Sequence, residues 1–185
     1  LITHVQQQSF SFKQSLSAIV LAILLANVAV SSSVFMFYSL TAPSSIPFVP
    51  SDKVQYLYEW SAGFGNKEAV ALIQELAKNE KVAVATEGTF GTLPDGLTLY
   101  FHRRNVENIF IDGTGYPVKE IPNQFIDKTK DFDRYLLVVN SHRLELDRDK
   151  LTLLGEYCRP DNAPCLLVFD MTELIQESSS ESGTN

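Results

Sequence analysis

Carboxylates, hydroxyls and glycines crowd into one run, Glu87-Gly88-Thr89-Phe90-Gly91-Thr92-Leu93-Pro94-Asp95-Gly96. Glycines let backbone approach a ligand and take up positive φ, Thr89 and Thr92 supply hydroxyls, and Glu87 and Asp95 supply carboxylates. One reading is a loop, with Phe90 at its centre, that binds a sugar or a peptide. The other is a structural connection whose Pro94-Asp95-Gly96 turn fixes its path while the carboxylates cap and pair. A phosphate loop is excluded, because the Gly-Lys-Ser/Thr ending is missing and carboxylates beside a phosphate repel it.

Other candidates are thinner. Tyr56, Tyr58, Trp60 and Phe64 form an aromatic group that either stacks on a sugar or docks the start of a domain. Asn140-Ser141-His142-Arg143 follows an apolar run, which lets His142 and Arg143 share a rim with Glu87. Asp112-Gly113-Thr114-Gly115 reads as a turn. Cys158 and Cys165 flank Arg-Pro-Asp-Asn-Ala-Pro, a turn that brings them close; a disulfide and two unpaired thiols both remain open. His4, His102 and His142 are scattered, and the cysteine spacing is not that of a zinc site, so neither a metal nor a cofactor is expected. No Ser/His/Asp or Cys/His set has the spacing of a hydrolase.

These residues need a scaffold. Val82-Ala83-Val84-Ala85 is a short run of small apolar residues, as in a strand buried on both faces. The loop 87–96 follows it directly, at the carboxyl end where open α/β sheets hold ligands. Asn66 reads as the N-cap of a helix bearing Val70, Ile73, Leu76 and Ala77 on one face, with Glu68 in its first turn. Residues 97–101 and 106–111 read as strands, the first also as a helix start. A short helix is expected over 125–132 after Pro122, and a strand over 134–140. Residues 149–157 read as short and irregular, and 165–169 as the last strand. This alternation predicts an α/β class: a small, mostly parallel sandwich with Rossmann-like layering.

Charge and hydropathy divide the chain. Its 22 acidic residues all lie at or after Asp52, and Lys13 alone of 15 basic residues precedes it. The part from Asp52 onward carries 14 basic against 22 acidic residues, a sign that repels nucleic acid. No charge falls between Gln14 and Ser51. Residues 16–40 as a helix span about 37 Å, enough for a hydrocarbon layer of ~30 Å. Asn27 and Ser31-Ser32-Ser33 are tolerated there through bonds within or between helices. Phe35, Phe37 and Tyr38 suit an interfacial belt, and Pro43, Pro47 and Pro50 predict a stiff, extended exit. A cleaved signal peptide, with a mature start near Val30, is the competing reading.

The expected organisation is an N-terminal flank (1–15), a membrane helix (16–40), a Pro-rich linker (41–55), an α/β domain (56–172) and a disordered tail (173–185). Lys13 and His4 ahead of the helix favour a cytoplasmic N-terminus and an extracytoplasmic domain. The opening Leu1-Ile2-Thr3-His4-Val5 reads as a cut from a longer chain.

Two stretches carry a resemblance. Tyr56-Leu57-Tyr58-Glu59-Trp60-Ser61-Ala62-Gly63-Phe64-Gly65-Asn66-Lys67-Glu68 and Val82-Ala83-Val84-Ala85-Thr86-Glu87-Gly88-Thr89-Phe90-Gly91-Thr92-Leu93-Pro94-Asp95-Gly96 resemble the C-terminal end of bacterial membrane glycosyltransferases of the GT-C type. These are similar to dolichyl-phosphate-mannose–protein mannosyltransferases. Glu59 stands where the family has Gly before its Trp, and Phe64 where it has Tyr. The resemblance implies a cell-membrane enzyme that transfers sugar from a polyprenyl-phosphate donor. It implies as partners the bilayer, further N-terminal membrane helices of the same protein, and a glycan or lipid-linked sugar. The family's catalytic carboxylate lies in the first outer loop, ahead of anything here, so no catalytic residue is carried over. The alternative is a complete single-pass protein with an outer binding or scaffold module.

Overall fold

The computed structural model describes residues 2–102 and 107–181, with the side chains of 14–101 and 107–177. The side chains of His4, Lys13 and His102, residue 106 of an expected strand, and residues 182–185 of the expected tail lie outside the described residues. The chain divides into two compact units, Leu1–Val49 and Pro50–Asn185.

The first unit is a single long helix, α1 (Ile2–Thr41), then a 3-10 turn at Pro43–Ser45. Within α1, Gln14–Thr41 is long and apolar enough to cross a membrane. Near its end Ser39 and Thr41 donate their hydroxyls to the carbonyls of Phe35 and Phe37, at 2.8 and 2.7 Å. Polar side chains are thereby satisfied inside the helix itself. The Pro-rich segment is not extended throughout. Pro43 opens the 3-10 turn, and Pro50 opens a short helix, α2 (Pro50–Lys53), that runs into a π-turn at Val54–Tyr58. Proline's fixed φ preorganises a first helical turn as readily as it stops a last one.

The second unit is a mixed α/β sandwich. Its elements are α3 (Asn66–Leu76), β1 (Val82–Thr86), α4 (Asp95–His102), β2 (Ile109–Gly113), α5 (Asn123–Lys128), β3 (Arg134–Asn140), β4 (Thr152–Cys158), β5 (Cys165–Asp170) and α6 (Thr172–Glu181). The sheet order is β2-β1-β3-β5-β4. β1 lies parallel to β2 and β3, whereas β5 is antiparallel to β3 and β4. The sheet is thus half parallel, not mostly parallel.

Side-chain alternation builds a core on each face. Val82, Val84, Leu136, Val138, Leu166 and Val168 pack with Ile73 of α3 and Leu97 and Phe101 of α4. Ala83, Ala85, Leu137, Val139, Leu167 and Phe169 pack on the other face with Phe125 of α5 and Ile175 of α6. Successive strand residues point to opposite faces, so continuous apolar runs become central strands.

Of the two readings of residues 97–101, strand or helix start, the helical one holds: Leu97 and Phe101 reach the core one turn apart, leaving Leu99 and Tyr100 outside. Three further expectations are corrected. Residues 152–158 form β4, a strand at the edge of the sheet with a bulge between Leu153 and Gly155; its mixed exposure weakens the pattern. Residues 173–181, expected as disordered tail, continue α6, because Leu174 and Ile175 pack on the sheet. Asp112 and Gly113 end β2 rather than forming a turn.

Candidate functional site

The strands place a cluster of polar groups at the carboxyl ends of β1 and β3. Glu87 leaves β1 almost fully buried, at 1% exposure. Its Oε2 accepts the backbone N–H of Asn140 at 2.8 Å, and its Oε1 accepts Asn140 Nδ2 at 2.7 Å. The Arg143 guanidinium adds an ion pair to Oε1 at 3.3 Å. A buried carboxylate is tolerable only with such a full set of partners. Glu87 therefore ties β1 to the end of β3 and anchors Arg143.

Arg143 lies between two aromatic rings, its guanidinium carbon 4.7 Å from the Trp60 centroid and 4.4 Å from that of Tyr116. Its Nε donates to His142 Nε2 at 3.4 Å. Desolvation first, and then the charge of Arg143, hold His142 below the ordinary imidazole range. Arg159, just past β4, is 4% exposed and donates to the carbonyl of Pro164. Burial pushes its guanidinium below the usual arginine range, against the opposing pull of Glu87 and Glu59. Its Nε and the Asn140 Oδ1 are buried without a hydrogen-bond partner among the described residues.

The loop after Glu87 folds back over α3. Gly88 exchanges backbone bonds with Gly115, at 2.7 Å from its own N–H and 3.1 Å from that of Gly115. Asp95 Oδ2 accepts the N–H of Gly91 at 2.7 Å and closes the loop onto the first turn of α4. Thr92 Oγ1 donates to the Ser61 carbonyl at 3.4 Å, while its own carbonyl accepts Asn66 Nδ2 at 3.3 Å. A Cβ on Gly91 would sit 3.3 Å from the Trp60 ring, so the indole lies flush on the loop. Thr89 and Phe90 face solvent.

A shallow groove of about 580 Å³ opens along this loop, between Gly63 and Asn66 on one side and Thr92, Asp95, Leu99 and Tyr100 on the other. The aromatic residues at the start of the domain have separate roles. Trp60 packs on Gly91 and Arg143, Tyr58 donates its hydroxyl to Asp161, and Tyr56 and Phe64 are exposed.

Some of this was hidden in the sequence. Asn66 is not the N-cap of α3; Gly65, at φ 85°, holds that place, and Asn66 turns its buried side chain to the groove. The run Asn140–Arg143 meets Glu87 at the rim that its place after an apolar run suggests, whereas Tyr116 beside Arg143 carries no local signal, because strand order alone brings it there. Cys158 and Cys165 are joined by a disulfide across the β4–β5 hairpin. Glu156 lies beside the two sulfurs, but sulfurs bonded to each other leave no thiolate for a metal.

The chain matches no known family model, no curated protein and no solved structure.

Proposed function

We propose that this chain is the last membrane helix and outer α/β domain of a GT-C type glycosyltransferase that takes sugar from a polyprenyl-phosphate donor. In this reading α1 lies in the cell membrane, its N-terminus is cytoplasmic, and the domain from Pro50 onward is extracytoplasmic. The chemistry belongs to a carboxylate in an earlier outer loop, and the residues of this chain are non-catalytic.

One observation carries the reading. The two stretches that resemble the family, distant in sequence, pack against each other: Trp60 on Gly91, Ser61 to Thr92, and Asn66 to Thr92. A shared signature in two segments has a physical reason when the segments form one surface. The sheet order adds support. β1 lies between β2 and β3, so the chain reverses direction across the sheet at β1/β3. We read that half as Rossmann-like, with ligands expected at the carboxyl ends where Glu87 and Asn140 meet.

The test is the coding DNA upstream of Leu1, followed by transfer assays on membranes holding the whole product. A frame that runs through many apolar helices and an acidic first outer loop, with polyprenyl-phosphate-dependent transfer, supports the proposal. A start codon at Leu1 overturns it in favour of a single-pass binding module.

A further inference from the structure

We propose that the Cys158–Cys165 disulfide is a redox latch. Closed, it holds the start of the second unit and the turn that carries Arg143; a dithiol that reduces it releases both. The latch goes beyond the transferase reading and stands without it.

The disulfide joins directly opposed residues of β4 and β5, and so closes the hairpin loop 159–164 at its base. Contacts leave that hairpin in two directions. Asp161, in the turn of the loop, accepts the hydroxyl of Tyr58 and pairs with the Lys53 ammonium at 3.4 Å. At the base, the Cys165 N–H donates to Ser141 Oγ at 3.2 Å. Ser141 opens the 3-10 turn Ser141–Arg143, which brings the Arg143 guanidinium over the Trp60 ring. Arg159, beside Cys158, donates across the loop to the carbonyl of Pro164, beside Cys165.

The hold on the entry segment depends on the shape of the loop. The Asp161 side chain is 64% exposed, and an ion pair so placed contributes little by itself. Asp161 and Asn162 both take positive φ, 56° and 58°, a conformation that Asp and Asn accept without preferring it. Without the crosslink the loop samples other conformations, and these carry the Asp161 carboxylate away from Lys53 and Tyr58. The segment it holds is shallowly seated: of Pro50–Tyr58, Leu57 is the one buried side chain.

The disulfide is open to attack. Cys158 is exposed and Cys165 half-buried, and exposed disulfides are the labile ones. A thiolate of the reductant attacks Cys158 Sγ, the Sγ–Sγ bond breaks, and Cys165 leaves as a thiolate that takes up a proton. The second thiol of the reductant then displaces Cys158 from the mixed disulfide. The protein gains two electrons and two protons, and the dithiol becomes a disulfide.

The full chain in nonionic detergent is compared before and after excess dithiothreitol. Alkylation with iodoacetamide stops the exchange ahead of digestion, and mass spectrometry reads the thiol state. Brief trypsin treatment then reports on the bond after Lys53, in the held segment, and after Lys119, whose ion pair is with Glu145. Reduction is expected to speed cleavage after Lys53 roughly tenfold and to leave Lys119 unchanged. Trp60 emission is expected to move to longer wavelength as the Arg143 turn loosens. Oxidised Asp161→Ala is expected to match reduced wild type at Lys53, with no further gain from dithiothreitol. Cys158→Ser with Cys165→Ser is expected to match reduced wild type in both readouts, and Asp161→Ala keeps the test should that variant unfold. The latch is overturned by a disulfide that resists dithiothreitol, or by no change at Lys53 or in Trp60 emission. Equal acceleration at Lys119, or reduction still accelerating Lys53 cleavage in Asp161→Ala, overturns it as well.

Discussion

The carboxylate of Glu87, at the end of β1, holds both the main-chain N–H and the side-chain amide of Asn140, at the end of β3, at 2.8 and 2.7 Å. The two strands run parallel and adjacent, so this clamp closes the gap at the point where the chain reverses across the sheet. It also sets the rim: Asn140 leads into His142 and Arg143, and Arg143 returns to Glu87 between Trp60 and Tyr116.

Removing the clamp leaves buried donors without an acceptor. Glu87→Ala is expected to destabilise the second unit by about 3–5 kcal/mol, as breaking a buried pair by deleting one partner does. Glu87→Gln keeps one acceptor oxygen and is expected to cost less, about 1–3 kcal/mol. Urea unfolding of the full chain in detergent, followed by Trp60 fluorescence, gives both values. Equal midpoints for wild type and Glu87→Ala would show that the clamp contributes nothing.

Two glycines separate steric need from conformational need. A Cβ on Gly113 would collide with the main chain of Gly88 and Thr89, whereas one on Gly115 would meet nothing within 4 Å. Gly115 instead has φ 101°. Gly113→Ala is expected to push β2 from the Glu87 loop and cost about 3 kcal/mol or more. Gly115→Ala carries only backbone strain, about 1–2 kcal/mol. The same urea series ranks them, and the reverse order would contradict this packing.

Arg134 links the start of β3 to both Glu80 and Asp170, with Nε–Oε2 at 2.6 Å and Nη1–Oδ2 at 2.5 Å. The hydrogen bond from Arg134 lowers the Glu80 pKa below the ordinary glutamate value. A carboxylate depressed in the folded state stabilises fully above its unfolded pKa, about 4.3, and loses that contribution as pH falls through the folded value. Wild type is therefore expected to exceed Glu80→Gln in urea midpoint at pH 6, with the gap closing below about pH 4. The pair is partly solvated, so the gap is modest. A gap that is constant from pH 6 to pH 3 would rule out the ionised Glu80 as its source.

What the sequence revealed follows from how local each signal is. Val82–Thr86 and Arg134–Asn140 are central strands buried on both faces, and their apolar runs announce them. The edge strand Thr152–Cys158 mixes Thr, Gly and Glu with exposed leucine, so its pairing with Cys165–Asp170 decides its form. Leu97-Thr98-Leu99-Tyr100-Phe101 suits a strand by composition, yet the core accepts only Leu97 and Phe101, and that spacing is helical. For the site, Glu87, Thr92 and Asp95 stood out as one run. The run Asn140–Arg143 was legible as a neighbour of Glu87 because it ends an apolar strand, but Asn66 and Tyr116 join through tertiary packing, for which a single sequence carries no local trace.

The uncharged stretch of α1 has a direct consequence for where the protein resides. Gln14–Thr41 contains no ionised side chain, and Leu24 and Val28 lie near its middle. Each lysine placed at a helix centre costs about 3 kcal/mol on insertion scales, so Leu24→Lys with Val28→Lys removes most of the gain from the neighbouring leucines, isoleucines and valines. Wild type is expected to stay in the membrane pellet after alkaline carbonate extraction, and the double variant to appear in the supernatant. A cleaved leader predicts something different: wild type itself in the supernatant, with a mature N-terminus near Val30. N-terminal sequencing of the pelleted protein separates the two, because a chain held by α1 retains the residues before Gln14.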